Sequence, residues 1–278
     1  MSIIKCRDKI LDTKSKTLIM GILNVTPDSF SDGGVNFATQ DAIKNAITMI
    51  EDGADIIDVG GESTRPGFEQ ISDEEEINRI VPVISYLAKN TDVIISVDTY
   101  KPAVAEAALE AGAHIINDIE ALNAPDMAAV IAKFKAGTVL MYNARLYPCD
   151  DDRNVADYAR EVLSGIVAKA LDTGISADSI ILDPGIGFGT TRPQDAKLIR
   201  ELDKLSLDGQ YPVLLALSRK RLVAEVMGGE NTPAQRDETS LGLGIAGINN
   251  GACMLRVHNV GMTAKALKGY DFITRGEN

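Results

Sequence analysis

Short apolar runs alternate along this chain with stretches in which apolar residues recur every three or four positions. Ile43, Ala46 and Ile50 follow the second pattern and predict one face of an amphipathic helix. The apolar runs are too short for buried helices and predict interior strands instead. Eight such runs occur, at residues 18–23, 55–60, 93–98, 114–118, 138–142, 180–183, 213–218 and 253–258.

This alternation predicts an α/β protein with a parallel sheet, because parallel strands need a helical crossover between them. Eight strand–helix units in about 250 residues are typical of a TIM barrel, (β/α)8. A doubly wound open sheet is the alternative, but polar residues at many strand ends would then lie too far apart to converge. In a closed barrel they surround one mouth. These residues are Asn24, Asp98, Asn117, Asp183, Lys220, Arg256 and His258. We expect residues 1–278 to form a single domain, with a short N-terminal hairpin within residues 3–17.

Composition narrows the possible partners. The net charge of −12 argues against a nucleic-acid surface, although a local cluster of cations can still bind an anionic substrate. No apolar run approaches the length of a membrane span. Cys6, Cys149 and Cys253 are far apart and odd in number, which predicts free thiols in the cytoplasm.

Three predicted strands end in polar side chains: Asp98, Asn117 and Asp183. Each one alone is explained as the N-cap of the following helix. Three around one mouth predict a pocket for a flat, nitrogen-rich heterocycle, since a carboxylate accepts two parallel N–H bonds and an amide matches a mixed edge.

Cations follow the last two strands. Residues 218–221 read Ser-Arg-Lys-Arg, and Arg256 and His258 lie two positions apart in an apolar run. The alternative for 218–221 is a solvated basic patch. An unpaired charge inside an apolar strand is costly, however, and this end of a barrel is a favoured phosphate site. We therefore expect a phosphate or pyrophosphate subsite.

Two polar loops lie at the same mouth. Residues 20–34 run from a buried strand into a polar segment that carries one isolated aromatic residue, Phe30, which predicts a lid over a ligand. We expect residues 26–36 to be disordered or displaced in a ligand-free crystal. Residues 64–67 form the second loop, for which an ordinary turn is the alternative. Gly185, Gly187 and Gly189 would let the backbone pass close to a ligand.

These motifs resemble a known family. Residues 23–34 (Leu-Asn-Val-Thr-Pro-Asp-Ser-Phe-Ser-Asp-Gly-Gly) and 58–67 (Asp-Val-Gly-Gly-Glu-Ser-Thr-Arg-Pro-Gly) resemble the two signature loops of the dihydropteroate synthases. Five shorter segments resemble the later motifs of the same family: Ser-Val-Asp-Thr (96–99), Ile-Asn-Asp-Ile (116–119), Asp-Pro-Gly-Ile-Gly-Phe-Gly (183–189), Ser-Arg-Lys (218–220) and Arg-Val-His (256–258).

The resemblance implies a Mg²⁺-dependent transferase of folate biosynthesis, a TIM barrel and a homodimer. It would join 6-hydroxymethyl-7,8-dihydropterin pyrophosphate to p-aminobenzoate, release pyrophosphate and be inhibited by sulfonamides. The implied pterin ligands are Asp98, Asn117, Asp183 and Lys220. The implied pyrophosphate ligands are Asn24, Arg256 and His258, with Asn24 also holding Mg²⁺. These two groups supply the implied catalytic residues: Asn24, Lys220, Arg256 and His258. The implied p-aminobenzoate residues are Phe30, Thr64, Arg65, Pro66, Phe188 and Ser218, while Asp32 would belong to the closed first loop.

The sequence departs from the family pattern after the fifth strand. Residues 141–147 read Met-Tyr-Asn-Ala-Arg-Leu-Tyr where the family usually has Met-His-Met followed by Gly and Pro. Thr190 and Asn259 also replace the usual Lys and Asp. Two alternatives therefore stay open: a pterin-binding paralogue without synthase activity, and a pterin-dependent methyltransferase. The presence of both signature loops argues against the methyltransferase.

Overall fold

The computed structural model describes residues 3–25, 35–62, 70–229 and 231–276, with the side chains of the first helix described from residue 39 onward. Its strands are β1 (Ile3–Cys6), β2 (Lys9–Asp12), β3 (Leu18–Asn24), β4 (Ile56–Gly60), β5 (Ile94–Asp98), β6 (Ile115–Asp118), β7 (Gly137–Met141), β8 (Ile180–Asp183), β9 (Leu214–Leu215) and β10 (Met254–Val257).

Strands β3 to β10 form one parallel eight-stranded sheet in the order β8-β7-β6-β5-β4-β3-β10-β9. A parallel bridge between Leu182 and Val213 joins the two outer strands, and the Leu182 N–H donates to the Pro212 carbonyl at 2.9 Å. The sheet thus closes into the predicted TIM barrel, and the open-sheet alternative is wrong. Strands β1 and β2 pair antiparallel as the predicted hairpin.

The helices of the described residues are α1 (Val35–Glu51), α2 (Asp73–Asn90), α3 (Pro102–Glu110), α4 (Met127–Phe134), α5 (Val155–Asp172), α6 (Arg192–Arg200), α7 (Arg221–Met227), α8 (Asp237–Asn249) and α9 (Val260–Arg275). Residues 72–75, Ser-Asp-Glu-Glu, resemble a capping box that predicts a helix start. Helix α2 begins there, and Ser72 Oγ accepts from the Glu75 N–H at 3.2 Å. None of the described helices is long and apolar enough to span a membrane.

Some predicted boundaries were wrong. The sequence predicts the Lys-Thr-Leu-Ile-Met run (16–20) as the second arm of the hairpin, but that arm is β2 and the run leads into β3. The sequence also predicts one helix over residues 193–205, but α6 ends at Arg200 and a 3₁₀ turn follows, Leu202–Ser206. A long helical region predicted from residue 221 to about 251 is two helices, because Gly228 and Gly229 adopt positive φ values of 66° and 70° after α7.

The barrel interior changes character from bottom to mouth. Each barrel strand contributes at least one residue to a buried apolar cluster, which includes Met20, Ile56, Ile94, Ile115, Val139, Ile181, Leu214 and Met254. The hairpin closes the bottom with Ile4, Cys6 and Leu11. Side chains alternate between faces, so the next inward positions lie two residues further along each strand. Five of these are polar: Asp58, Ser96, Asn117, Asp183 and Arg256. A polar layer therefore lies on the apolar floor.

Candidate active site

Strand register sets the edge of the mouth. Asn24 pairs with Gly60, Gly60 with Asp98, and Asp98 with Asn117 across four neighbouring strands. The Asn24 side chain is exposed, whereas Asn117 is 5% exposed. The predicted convergence of Asn24, Asp98 and Asn117 at the carboxyl ends of the strands is thus confirmed.

Arg256 lies between two carboxylates. Its Nε donates to Asp58 Oδ2 at 2.5 Å, and one of its terminal nitrogens donates to Asp98 Oδ2 at 2.7 Å. The Asn117 amide also donates to Asp58 Oδ2, at 3.1 Å. The other oxygens of both acids, Asp58 Oδ1 and Asp98 Oδ1, are buried without a hydrogen-bond partner among the described residues. Such acceptors are costly unless a ligand or water donates to them.

Lys220 and Asp183 complete this cluster. Lys220 Nζ donates to the Ile186 carbonyl at 2.8 Å, and Asp183 Oδ1 accepts from the Gly185 N–H at 2.7 Å. Burial raises the pKa of Asp98 to about 7, against the opposing charge of Arg256. Burial also raises the pKa of Asp183, and it lowers the pKa of Lys220 to about 8. Perturbed groups gathered in one pocket are typical of functional sites.

The Lys220 ammonium also lies 4.6 Å from the ring centroid of Phe188, and the Arg145 guanidinium lies 5.4 Å from the same centroid. The Ala144 N–H donates to the Phe188 carbonyl at 2.9 Å. The altered segment 141–147 therefore contacts the residue that the resemblance assigns to the p-aminobenzoate site.

The glycines after Asp183 serve this contact between loops. Gly185 has a φ of 70°, and a Cβ there would lie 1.7 Å from the Tyr142 carbonyl oxygen. Gly189 has a φ of 88°, and a Cβ there would lie 2.7 Å from the Arg145 backbone nitrogen. The sequence predicted close approach of a ligand, but these two glycines allow the approach of the neighbouring loop.

The cations after β9 have separate partners. Arg219 forms a two-pronged ion pair with Asp237, at 2.6 and 2.8 Å, while Lys220 faces the mouth. Residues 218–221 are therefore not one basic patch. His258 lies just beyond the end of β10, and its Nδ1 is 3.0 Å from Ser218 Oγ. The structure thus brings Ser218 to His258, a pairing that the sequence did not indicate.

Some predicted residues lie outside the described part of the chain: Phe30, Asp32, Thr64, Arg65 and Pro66. The expected displacement of residues 26–36 also stays a prediction, except that α1 already begins at Val35. Sequence reasoning missed Asp58 as a site residue. The signal was available, because Asp58 lies between Ile57 and Val59 in a buried strand, where an unpaired charge is unfavourable.

Few side chains that could hold a metal ion lie together at the described mouth. Among the described residues there is no cluster of three or more His, Cys, Asp or Glu side chains that could hold a metal ion. Mg²⁺ commonly keeps few protein ligands and takes its other oxygens from phosphate and water. The exposed Asn24, which is separated from Asp98 at the mouth by Gly60 of β4, fits that kind of site.

A closed parallel barrel whose mouth carries acids, an amide and two cations is typical of an enzyme that acts on a small molecule. Residues 20–258 match the family model described as pterin binding enzyme. The chain is 46% identical over 268 residues to the dihydropteroate synthase of Staphylococcus haemolyticus, covering 95% of this chain and 97% of the relative. The Bacillus subtilis dihydropteroate synthase is 44% identical and covers 97% of this chain and 93% of its own length.

Solved structures agree with these relatives. The dihydropteroate synthase of Xanthomonas albilineans with 4-aminobenzoic acid superposes with a TM-score of 0.92 at 38% identity, covering 98% of both chains. The Clostridium difficile enzyme in the presence of pteroic acid gives 0.89 at 40% identity, covering 95% of this chain and 99% of its own. The chain therefore belongs to the dihydropteroate synthases, within the family of pterin-binding enzymes.

Proposed function

We propose that this protein catalyses the dihydropteroate synthase reaction of folate biosynthesis. It joins 6-hydroxymethyl-7,8-dihydropterin pyrophosphate to p-aminobenzoate and releases 7,8-dihydropteroate and pyrophosphate. The observation that carries the proposal is the placement of Arg256 between Asp58 and Asp98, whose other oxygens lack partners in the described structure. This arrangement suits a ligand that donates several N–H bonds.

The pterin subsite consists of Asp98, Asn117, Asp183 and Lys220. Asp183 accepts from the amino-pyrimidinone edge, because its carboxylate is buried and matches two parallel N–H donors. Asn117 reads a mixed edge with its amide. Lys220 donates to the ring carbonyl or a ring nitrogen. Asp58 holds Asn117 and Arg256 in place, because both donate hydrogen bonds to its Oδ2.

The leaving pyrophosphate lies against Arg256, His258 and Asn24. Arg256 lies in β10 and His258 just beyond its end, and Ser218 orients the His258 ring through their 3.0 Å contact. Asn24 would help to hold Mg²⁺, whose positive charge would stabilise the leaving group. Arg256 and His258 stabilise the same developing charge from the protein side.

The p-aminobenzoate subsite is assigned to Phe30, Thr64, Arg65, Pro66, Phe188 and Ser218, with Asp32 in the closed first loop. Support from the described residues comes from Phe188, which lies over Lys220 at the rim of the mouth. Ser218 is 8% exposed and next to His258, so it can meet the carboxylate where the two subsites join.

The bond changes need no protein nucleophile. The C–O bond to the pyrophosphate breaks, its electron pair leaves with the oxygen, and the electron-rich pterin ring stabilises the methylene cation. The amine nitrogen of p-aminobenzoate then forms the new C–N bond and loses one proton to solvent. Water would compete for the same cation, so the site must exclude it.

A coupled assay tests the proposal directly. Purified protein with Mg²⁺, the pterin pyrophosphate and p-aminobenzoate is expected to release pyrophosphate in amounts equal to the dihydropteroate formed, and a sulfonamide is expected to inhibit it. Pterin binding without pyrophosphate release would contradict the synthase proposal and favour a paralogue without this activity. Methyl transfer from a pterin donor would favour the methyltransferase alternative.

The proposal also covers the number of domains, the oligomeric state and the cellular location. We propose one domain over residues 1–278, a homodimer and a cytoplasmic location. The support for the single domain is that one barrel takes up the described residues from β3 to α9. Sedimentation analysis tests the dimer, and a single cooperative unfolding transition tests the domain.

A further inference from the structure

Asp195 is a fully buried carboxylate in the first turn of α6, and it belongs to neither of the proposed subsites. Its Oδ1 accepts from the Gly187 N–H at 2.9 Å and also from the Thr190 hydroxyl. Its Oδ2 accepts from the Arg192 guanidinium at 2.5 Å. The bonds of this side chain to described residues therefore go to positions 187–192, where the connection from β8 enters α6.

One peptide unit of this connection lies between Asp195 and Lys220. Its N–H, on Gly187, donates to Asp195, and its C=O, on Ile186, accepts from Lys220 Nζ at 2.8 Å. A peptide unit is planar and its N–H and C=O point in opposite directions, so the bond to Asp195 sets the direction of the carbonyl that Lys220 meets. Burial lowers the pKa of Lys220 to about 8, and the charges of Asp183 and Asp195 oppose that shift.

The peptide between Ile186 and Gly187 needs such a bond to keep one orientation. Gly187 has a φ of 80° and no Cβ, so its own side of the peptide is free to rotate. Packing of α6 does not explain an acid at position 195, because Leu198 and Ile199 already bury an apolar face of the helix. A fully buried carboxylate is costly, and its bonds to the connection supply a reason for its presence.

We propose that Asp195 is a positioning residue for the pterin subsite, which fixes the 186–187 peptide so that the Ile186 carbonyl holds the Lys220 ammonium towards the pterin. This inference rests on the proposed function, which assigns Lys220 to the pterin. Asp195 acts through the peptide and not on the substrate, because its side-chain bonds go to Gly187, Thr190 and Arg192.

A double-mutant cycle tests whether Asp195 acts through Lys220. Calorimetry measures the Kd of the pterin pyrophosphate, without p-aminobenzoate, in the wild type, Asp195→Ala, Lys220→Met and the double variant. Asp195→Ala alone should weaken binding about tenfold, because a charge-assisted hydrogen bond that orients Lys220 is lost. In the Lys220→Met background the same substitution should change the Kd less than about twofold, since no ammonium is left to orient.

The carbonyl ¹³C chemical shift of Ile186 gives a second measurement that needs neither ligand nor activity. In Asp195→Ala this shift should move towards its value in Lys220→Met, where the donor to the carbonyl is absent. Asp195→Asn keeps an oxygen that accepts from Gly187, so it should preserve the wild-type shift and most of the pterin affinity. Asp157→Ala is the matched control, because Asp157 lies in the first turn of α5 and pairs with Lys204 at an exposed site 2.6 Å away. It should change neither measurement.

An equal loss of pterin affinity on Asp195→Ala in both backgrounds, or a wild-type Ile186 shift in Asp195→Ala, would overturn the inference. If Asp195→Ala does not fold, Thr190→Val takes its place. It removes the hydroxyl that donates to Asp195 and accepts from the Gly187 N–H at 3.0 Å, so it should change both measurements in the same direction by a smaller factor. If the wild-type protein releases no pyrophosphate, the proposed function fails. The Ile186 shift still decides in that case whether Asp195 orients the partner of Lys220.

Discussion

Arg256→Met tests whether this arginine holds the acidic mouth together. In the wild-type protein it forms ion pairs with Asp58 at 2.5 Å and with Asp98 at 2.7 Å. The substitution leaves both carboxylates buried without their cation. Removing one partner of a buried pair costs about 3–5 kcal/mol, because an uncompensated charge stays behind.

Such a loss is a large part of the stability of a protein, which is about 5–15 kcal/mol in total. The variant should still fold, with its Tm lowered by about 10 °C. Catalysis should fall more steeply than stability, since Arg256 is also proposed to meet the leaving pyrophosphate. Thermal unfolding and pyrophosphate release, measured on the same preparations, separate the two effects.

The pH dependence of stability identifies the cause of the loss in Arg256→Met. The pKa of Asp98 is about 7 in the folded protein and 3.8 as an ordinary value, so the folded state binds this proton more tightly. A group of this kind lowers stability as pH rises from its unfolded pKa to its folded pKa. Without Arg256 the folded pKa of Asp98 rises further. The stability gap between variant and wild type attributable to Asp98 should therefore open above about pH 7.

Arg160→Met is the matched control, because Arg160 forms an exposed ion pair with Asp208 and exposed pairs contribute little. The difference in stability between Arg160→Met and the wild type should not widen between pH 6 and pH 9. A constant loss of stability in Arg256→Met across that range would mean that lost packing, not uncompensated charge, is responsible. That result would refute the argument from the ion pairs.

The other predictions concern the two subsites. Asp183→Asn should weaken pterin binding about 100-fold by leaving ligand donors unpaired, whereas Arg65→Ala should spare pterin binding and impair turnover. Calorimetry measures pterin binding and steady-state kinetics measure turnover. An equal loss of pterin affinity in both variants would contradict the separation of the subsites. Pterin affinity should fall as pH drops below about 7 and Asp98 becomes protonated, and a flat profile from pH 8 to pH 5.5 would exclude that role. Arg145→Met should raise the KM for p-aminobenzoate about two- to fivefold through its contact with Phe188, and no change would separate segment 141–147 from this site.

Much of the fold follows from the sequence because two simple periods specify it. Apolar runs identified the strands of the barrel, and polar residues at their ends identified the mouth. The least accurate strand was the seventh, predicted as 213–218 and observed as Leu214–Leu215. Its polar end follows a sharp turn in which Arg219 has a φ of 61°. Periodicity cannot foresee such a turn, in which the Arg219 N–H donates to Ser240 Oγ and the Arg219 side chain pairs with Asp237.

The candidate site was less accessible from sequence, since its contacts cross the barrel. Arg256 and Asp58 are separated by 198 positions along the chain, and their pairing depends on the stagger of the strands around the barrel. A pattern of side chains shows which residues face inward but not which of them meet. The same limit applies to Lys101, which forms buried ion pairs with Glu62 and Glu76. Nothing in the local sequence around Lys101 indicates these partners.

The charges of the described mouth explain why the ligand should be a donor. Two buried acids, Asp58 and Asp183, and the partly buried Asp98 lie with the two cations Arg256 and Lys220. This excess of acceptors raises the pKa of Asp98, since burial and the neighbouring acids disfavour its charged form. A ligand with several N–H groups satisfies the acceptors without adding negative charge there. An anionic group fits only beyond the acids, at the end of β10, where Arg256 and His258 lie. The described residues therefore favour a heterocycle placed deep in the barrel and a charged leaving group at its rim.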